Sequence, residues 1–338
     1  MQGAQAGPGG LRGAGGGGLP GMPGGRRGGF GGMAGGQAAG FGPMAGAQRG
    51  GVAGVPGGPG AYRPGPTGGA QAAGAGGPAG SGAQMEYNER IRQFYALHLA
   101  NEGQSEIFRD TEFWNFGYWT QTTQSQNEAC ENMLEVLLSF IPEKTGRILD
   151  VACGKGATTR HLLRYFDPAD VMGVNISPEQ IAVCRERLPE VRFEVMDAAD
   201  LQFADNELDS IITVEAICHF NTREKFLKEA LRVLKPGGHL VFSDSLMRAE
   251  TAIQPRENYI ETADHYAAIG RAAGFERVEV YDTTEECWNR FARFHMQRAM
   301  TRMRSGEIAP QNVQVTGMWL RRAAPVAYVV GWMRKPGG

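Results

Sequence analysis

Short apolar runs alternate with amphipathic segments along residues 147–333 of the chain. Seven runs have the length and apolar content of strands in a covered sheet. They occupy residues 147–151, 171–175, 191–196, 208–214, 239–244, 279–282 and 327–333. Helical spacing fills residues 157–166, 223–234 and 263–273, and a further helix begins after Ser177. Strands that alternate with helices in this way predict an α/β fold, a doubly wound and mostly parallel sheet.

Helices are also expected outside this alternating region. Residues 85–100 and 124–140 repeat apolar residues at helical spacing ahead of the first strand. Residues 288–303 are rich in aromatic residues and methionine. This late segment is interpreted either as core packing or as a cap that lines an apolar substrate pocket, because methionine adapts to irregular surfaces.

Residues 1–84 have a different composition, mostly Gly, Ala, Pro and Gln, with five arginines and no Asp, Glu, Lys or Cys. So few large apolar side chains cannot offset an ordering cost of ~1–2 kcal/mol per residue. We predict a disordered Gly/Ala/Pro-rich tail over residues 1–84 and one folded domain over residues 85–338. The two Arg-Gly-Gly triplets in the tail are too sparse to predict a nucleic-acid partner.

Charge and cysteine content narrow the class of protein. The chain carries a net charge of −2, and the five arginines of the tail leave about −7 for the rest, which disfavours nucleic acid and anionic membranes as general partners. No apolar stretch approaches the ~20 residues of a membrane span. The five cysteines are scattered without a CxxC pair, which predicts reduced thiols in the cytoplasm and no metal site.

The first strand is followed by a turn that contains Gly154 and Gly156, and then by a helix. Glycine has no Cβ, so a ligand can lie against its backbone, and the helix start offers unpaired N–H groups. Parallel strands place their carboxyl ends on one edge, where ligands bind. We therefore expect one group of residues to converge at this edge: Asp150, Gly154, Asn175, Asp197, Glu215 and His219.

Four segments in order, residues 148–156, 173–177, 194–198 and 234–238, resemble the class I S-adenosylmethionine-dependent methyltransferases. The resemblance covers roughly residues 85–335. Residues 116–119 and 215–219 are similar to the small-molecule branch, which acts in microbial secondary metabolism and on sterols and quinones. The resemblance implies a Rossmann-like, seven-stranded sheet whose last strand is antiparallel, and S-adenosyl-L-methionine as cofactor.

The resemblance also implies the cofactor contacts. Gly154 and Gly156 would lie under the methionine part, with Asp150 beside its amino group. Asn175 would face the ribose, where relatives usually have an acid, and Ala152 stands where glycine is frequent. The complete implied cofactor set is Asp150, Ala152, Gly154, Gly156, Asn175, Ile176, Gln180, Asp197, Ala198 and Trp119.

A hydroxyl acceptor must lose a proton, and His219 lies where a general base is expected. Glu215 is the alternative base. The predicted acceptor is a small molecule with an apolar body, oxygen is the favoured acceptor atom, and a homodimer is compatible with the sequence. Three alternatives stay open: a nicotinamide-dependent oxidoreductase, a catalytically silent scaffold, and cyclopropane-type chemistry on lipids. The missing third glycine of the dinucleotide fingerprint, where Thr159 stands, disfavours the first.

Overall fold

The computed structural model describes residues 81–100, 107–108, 111–247 and 254–338. The predicted disordered tail lies outside the described residues as far as residue 80. Its last four residues belong instead to the first helix, α1, which spans Ser81–Ala100. Ala83 and Gln84 have high helix propensity, so extension of the helix through them is favourable.

The strands form one seven-stranded sheet in the order β3-β2-β1-β4-β5-β7-β6. Neighbours from β3 to β5 pair in parallel, whereas β7 runs antiparallel to both β5 and β6. This arrangement confirms the predicted doubly wound sheet with an antiparallel last strand. The strands are β1 (Ile148–Val151), β2 (Val171–Asn175), β3 (Arg192–Val195), β4 (Leu208–Val214), β5 (Leu234–Leu246), β6 (Arg277–Asp282) and β7 (Ala327–Arg334).

The remaining helices connect and cover the strands. They are α2 (Gln126–Ser139), α3 (Ala157–Leu162), α4 (Pro178–Arg187), α5 (Arg223–Val233), α6 (Ala263–Ala273), α7 (Arg290–Arg304) and α8 (Pro310–Ala323). Side-chain caps start several of them: the hydroxyl of Ser177 accepts from the Gln180 amide, and that of Thr262 from the His265 amide. Gly274, at a φ of +112°, ends α6 in a left-handed conformation.

Helix α8 was not predicted from the sequence, because its β-branched residues and Gly317 lower its helix propensity. Packing against α7 overrides this preference. A Cβ on Gly317 would lie only 3.1 Å from Met296 Cε of α7, so glycine allows the close approach, and Leu320 is buried. The late helical segment thus contains two helices, of which the sequence indicated one.

Candidate active site

The turn after β1 forms the floor of a cleft at the carboxyl edge of the sheet. Gly154 adopts a φ of +57°, in the left-handed region that favours glycine. A Cβ there would approach only Gln180 Oε1, at 3.9 Å, so the backbone conformation, rather than lack of space, favours glycine. Ala152 also lies in the left-handed region, at a φ of +62°. Glycine would adopt this angle without strain, whereas alanine retains a strain of roughly 1–2 kcal/mol.

The cleft brings together most of the residues predicted for the site. It contains about 1160 Å³ of space, a volume that includes the solvent at its open mouth. The predicted residues that line it are Asp150, Ala152, Gly154, Asn175, Ile176, Gln180, Asp197, Ala198, Glu215 and His219.

Trp119 and Gly156 are not among the lining residues. The Trp119 indole is 2% exposed, donates from Nε1 to the carbonyl of Phe116 at 2.8 Å and packs on Phe294. Aromatic packing holds the ring in the core, and the cofactor contact of Trp119 stays a prediction. Gly156, at a φ of +87°, begins α3, and a Cβ on it would face Cys184 Sγ at 3.3 Å.

Asp150 is a buried carboxyl group at the end of β1, with 1% of its surface exposed. Its Oδ2 accepts a hydrogen bond of 2.6 Å from the Thr159 hydroxyl. Burial disfavours the charged form and raises the pKa of Asp150 to about 7, although the Thr159 hydrogen bond opposes the rise. A cationic group in the cleft would stabilise its ionised form.

Asn175 and Gln180 form a polar edge of the cleft after β2. Asn175 Oδ1 accepts from the Ser177 amide at 3.1 Å, while its Nδ2 donates to Gln180 Oε1 at 3.1 Å. Gln180 therefore does not close a reciprocal capping box with Ser177, and its side chain borders the cleft. The pair offers amide donors and acceptors suited to neutral hydroxyl groups.

Helix α1 covers the cleft and contributes residues that sequence reasoning missed. Asn88 Nδ2 donates to Asp197 Oδ2 at 2.7 Å, and Asp197 Oδ1 accepts from the Ala199 amide at 2.9 Å. Ile91 and Tyr95 also line the cleft. Their helical spacing indicated an apolar face, but contacts about 100 residues apart in sequence could not be inferred from that pattern.

His219 ends a short 3-10 turn, Ile217–His219, which begins three residues after the last residue of β4. Its side chain lines the cleft, and its imidazole lies nearly perpendicular to the Tyr95 ring, with centroids 5.8 Å apart. Its carbonyl accepts a hydrogen bond of 3.0 Å from the Tyr87 hydroxyl of α1. The sheet edge and α1 together fix the backbone of this residue.

A buried polar network holds the same turn from below. Asn258 Nδ2 donates to the carbonyls of Cys218, at 3.1 Å, and Phe220, at 2.7 Å. Asp244 accepts from the Cys218 amide at 2.9 Å and pairs with Arg223 at 2.9 Å. The backbone on both sides of His219 is thus hydrogen-bonded to buried side chains, which preorganises the turn. No motif in the sequence identified Arg223 or Asn258.

Glu215 occupies a strained position at the end of β4, with a φ of +53°. Its Oε2 accepts from the Phe116 amide at 2.8 Å and from the Tyr328 hydroxyl at 2.9 Å. Burial raises its pKa to about 8, so it is mostly protonated at neutral pH. These contacts connect the aromatic segment around Phe116 to β7.

We expect Glu215→Gln to keep turnover within about threefold, because a glutamine oxygen can accept the same two hydrogen bonds. Glu215→Leu leaves a buried N–H and hydroxyl without that acceptor, at a cost of ~1–3 kcal/mol. Its melting temperature should fall by roughly 2–12 °C. Calorimetric melting and steady-state turnover measure both effects. A loss above about 100-fold in the glutamine variant, at unchanged melting temperature, would instead identify Glu215 as the base.

Three structural findings concern other classes of site within the described part of the chain. No group of three or more His, Cys, Asp and Glu residues there has an arrangement that could hold a metal ion. The five cysteines are free and buried. None of the helices among these residues is long and apolar enough to cross a bilayer.

Comparison with known proteins agrees with this geometry. The family model described as "Methyltransferase domain" matches residues 149–242, which include the glycine turn and strands β1 to β4. Methyltransferase GfsG of Streptomyces halstedii is 31% identical over 232 residues, covering 62% of this chain and 82% of that relative. O-methyltransferase cnsE of Penicillium expansum is 31% identical over 186 residues, covering 50% of this chain and 67% of that relative.

Among solved structures, the [4+2]-cyclase SpnF superposes with a TM-score of 0.58 at 22% identity, covering 74% of this chain and 97% of that one. At this identity the likeness shows the fold alone. The family model and the GfsG relative carry the assignment. The chain belongs to the class I S-adenosylmethionine-dependent methyltransferases, and it is an enzyme of the small-molecule type. This membership decides against the nicotinamide-dependent alternative.

Proposed function

We propose that the protein transfers the methyl group of S-adenosylmethionine to a hydroxyl oxygen of a small acceptor with an apolar body, in microbial secondary metabolism. The observation that carries the proposal is that His219 and the glycine turn line the same cleft. A base and a methyl donor can therefore act on one acceptor. The cytoplasmic location and the homodimer stay predictions, and the five free thiols favour a reducing compartment.

The residues around the glycine turn fit the cofactor. Asp150 would supply a carboxyl group for its ammonium. The small residues Ala152 and Gly154, with left-handed backbone, form the floor of the cleft on which it would lie. Asn175 and Gln180 would hold the ribose hydroxyls, and Asp197 the exocyclic amine of the adenine. When bound, the cofactor supplies an electrophilic methyl group on a sulfonium centre.

The remaining part of the cleft would hold the acceptor. It is lined by apolar and aromatic side chains from α1 and from the segment that follows it: Ile91, Tyr95, Phe113 and Trp114, with Phe220 beside His219. Such a lining favours an acceptor with an apolar body and excludes water from the reacting atoms. His219 would orient the acceptor hydroxyl and remove its proton as the new C–O bond forms.

The proposal is tested by calorimetry followed by product analysis. S-adenosylhomocysteine is expected to bind with measurable heat, whereas NAD gives none. The enzyme is then incubated with methyl-labelled cofactor and a panel of apolar alcohols, phenols, amines and alkenes. Label in a methyl ether, seen by NMR, supports oxygen transfer. Label on nitrogen or in a cyclopropane ring contradicts it, and NMR is required because methylation and cyclopropanation add the same mass.

A further inference from the structure

The hairpin formed by α7 and α8, residues 290–323, has a charge opposite to that of the rest of the domain. It contains seven arginines and one acid, Glu307, for a net charge of +6. Residues 81–338 carry −7 in total, so the part outside the hairpin carries −13. The modest overall charge of the chain is therefore the sum of a basic hairpin and an acidic remainder. An anionic partner would be attracted to the hairpin.

Three arginines of the hairpin form no ion pair with any residue in the described ranges: Arg304, Arg321 and Arg322. All three are exposed. By contrast, Arg293 pairs with Glu285 and Arg302 with Glu307. Positive charge at the ends of α7 and α8 is thus available to an external anion.

Exposed apolar side chains lie on the same hairpin. Among the described residues, seven large hydrophobic side chains are exposed, and three of them are in α7 and α8. Met300 is 37% exposed, Val315 54% and Met318 46%. Single exposed hydrophobic residues are normal on a protein surface. Here Arg304 follows Met300 by one helical turn in α7, and Arg322 follows Met318 by one turn in α8, so each helix presents an apolar and an unpaired basic side chain on one face. This is the composition of an interfacial amphipathic surface.

We propose that the α7–α8 hairpin docks the enzyme reversibly on an anionic lipid surface. Each arginine close to such a surface strengthens binding roughly fivefold, and the exposed Met and Val side chains can enter the headgroup boundary. Charges of the acidic body more than a Debye length of ~8–10 Å from the lipid are screened, so their repulsion is weak. Lipid is favoured over an acidic protein partner, because the exposed Met300, Val315 and Met318 add apolar contact to the charge of the arginines. Delivery of an apolar acceptor from the lipid rests on the proposed function, but docking does not.

The test is co-sedimentation of the full chain with vesicles of phosphatidylcholine alone or with one third phosphatidylglycerol, at low salt. Binding is expected only to the anionic vesicles and should disappear near ~1 M salt, where the Debye length is ~3 Å. The triple variant Arg304→Gln, Arg321→Gln, Arg322→Gln should bind roughly 100-fold more weakly. Its turnover with a soluble acceptor should equal that of the parent.

A matched variant controls for loss of charge and for the arginines of residues 1–80, which all variants retain. Arg192→Gln, Arg256→Gln and Arg277→Gln remove three exposed arginines outside the hairpin and should leave vesicle binding within about twofold. The proposal is overturned if both triple variants lose vesicle binding equally, or if the parent does not bind the anionic vesicles. It is also overturned if the parent binds soluble polyglutamate, a model of an acidic protein partner, but not the vesicles. Vesicle binding by a chain without methyl transfer would separate this inference from the proposed function.

Discussion

Replacing His219 with alanine is expected to lower kcat by ~10²- to 10⁴-fold, the range for loss of a positioned general base. The affinity for S-adenosylhomocysteine should stay within about twofold, because the glycine turn and Asp150 are untouched. The reason is local: the imidazole lines the cleft, and its backbone is fixed by the Tyr87 hydroxyl and the Asn258 network. Single-turnover kinetics and calorimetry measure the two quantities separately.

His265→Ala is the matched control, since this histidine is exposed on α6 away from the cleft. It should retain parental turnover. If His219→Ala stays within about threefold of the parent, His219 is not the base. A loss that appears only in KM would instead indicate that the imidazole binds the acceptor without removing its proton.

The sheet was predictable because its strands are short apolar runs whose pattern has few interpretations. The bounds of β2, β4 and α6 were predicted to the residue. Helix α6 lies between the N-cap Thr262 and Gly274, and β4 lies between two glutamates. Helix α8 was missed because its propensity is low and its formation depends on packing against α7. Such a tertiary contact cannot be predicted from the local sequence.

Some residues of the candidate site could be predicted from the sequence and others could not. Residues at strand ends, such as Asp150 and Asp197, could be placed because parallel topology fixes where strand ends meet. Asn88 and Asn258 reach the site from distant elements through side-chain hydrogen bonds, which no periodicity encodes. Trp119 was included only through the family resemblance, and the structure buries its ring against Phe294.

Glu215 and Ala152 show that the site carries backbone strain. Both are non-glycine residues at positive φ, and both lie directly after strands that border the cleft. Such conformations persist only where surrounding contacts over-determine them. At Glu215 the contacts are those to Phe116 and Tyr328, and they direct the side chain inward from the strand end.

Asp150→Asn is expected to raise the stability of the protein and to weaken its binding of the cofactor. The pKa of Asp150 is raised from 3.8 to about 7, so the folded state holds a proton that the unfolded chain releases between those values. Stability from this group is therefore present below about pH 4 and declines as the pH rises towards 7. A neutral asparagine, which can still accept from Thr159, avoids this penalty. The variant should melt at a higher temperature than the parent at pH 8.

Binding should change the other way, because the ionised carboxylate is needed beside the cofactor ammonium. We expect Asp150→Asn to weaken S-adenosylhomocysteine binding by roughly 10- to 150-fold, the value of a hydrogen bond to a charged group. In the parent, affinity should rise roughly tenfold from pH ~5.5 to ~7 as the carboxyl group ionises, and this slope should vanish in the variant. Asp167→Asn, at an exposed position, is the control. A parental slope that persists in Asp150→Asn would assign the titration to another group and remove Asp150 from the ammonium site.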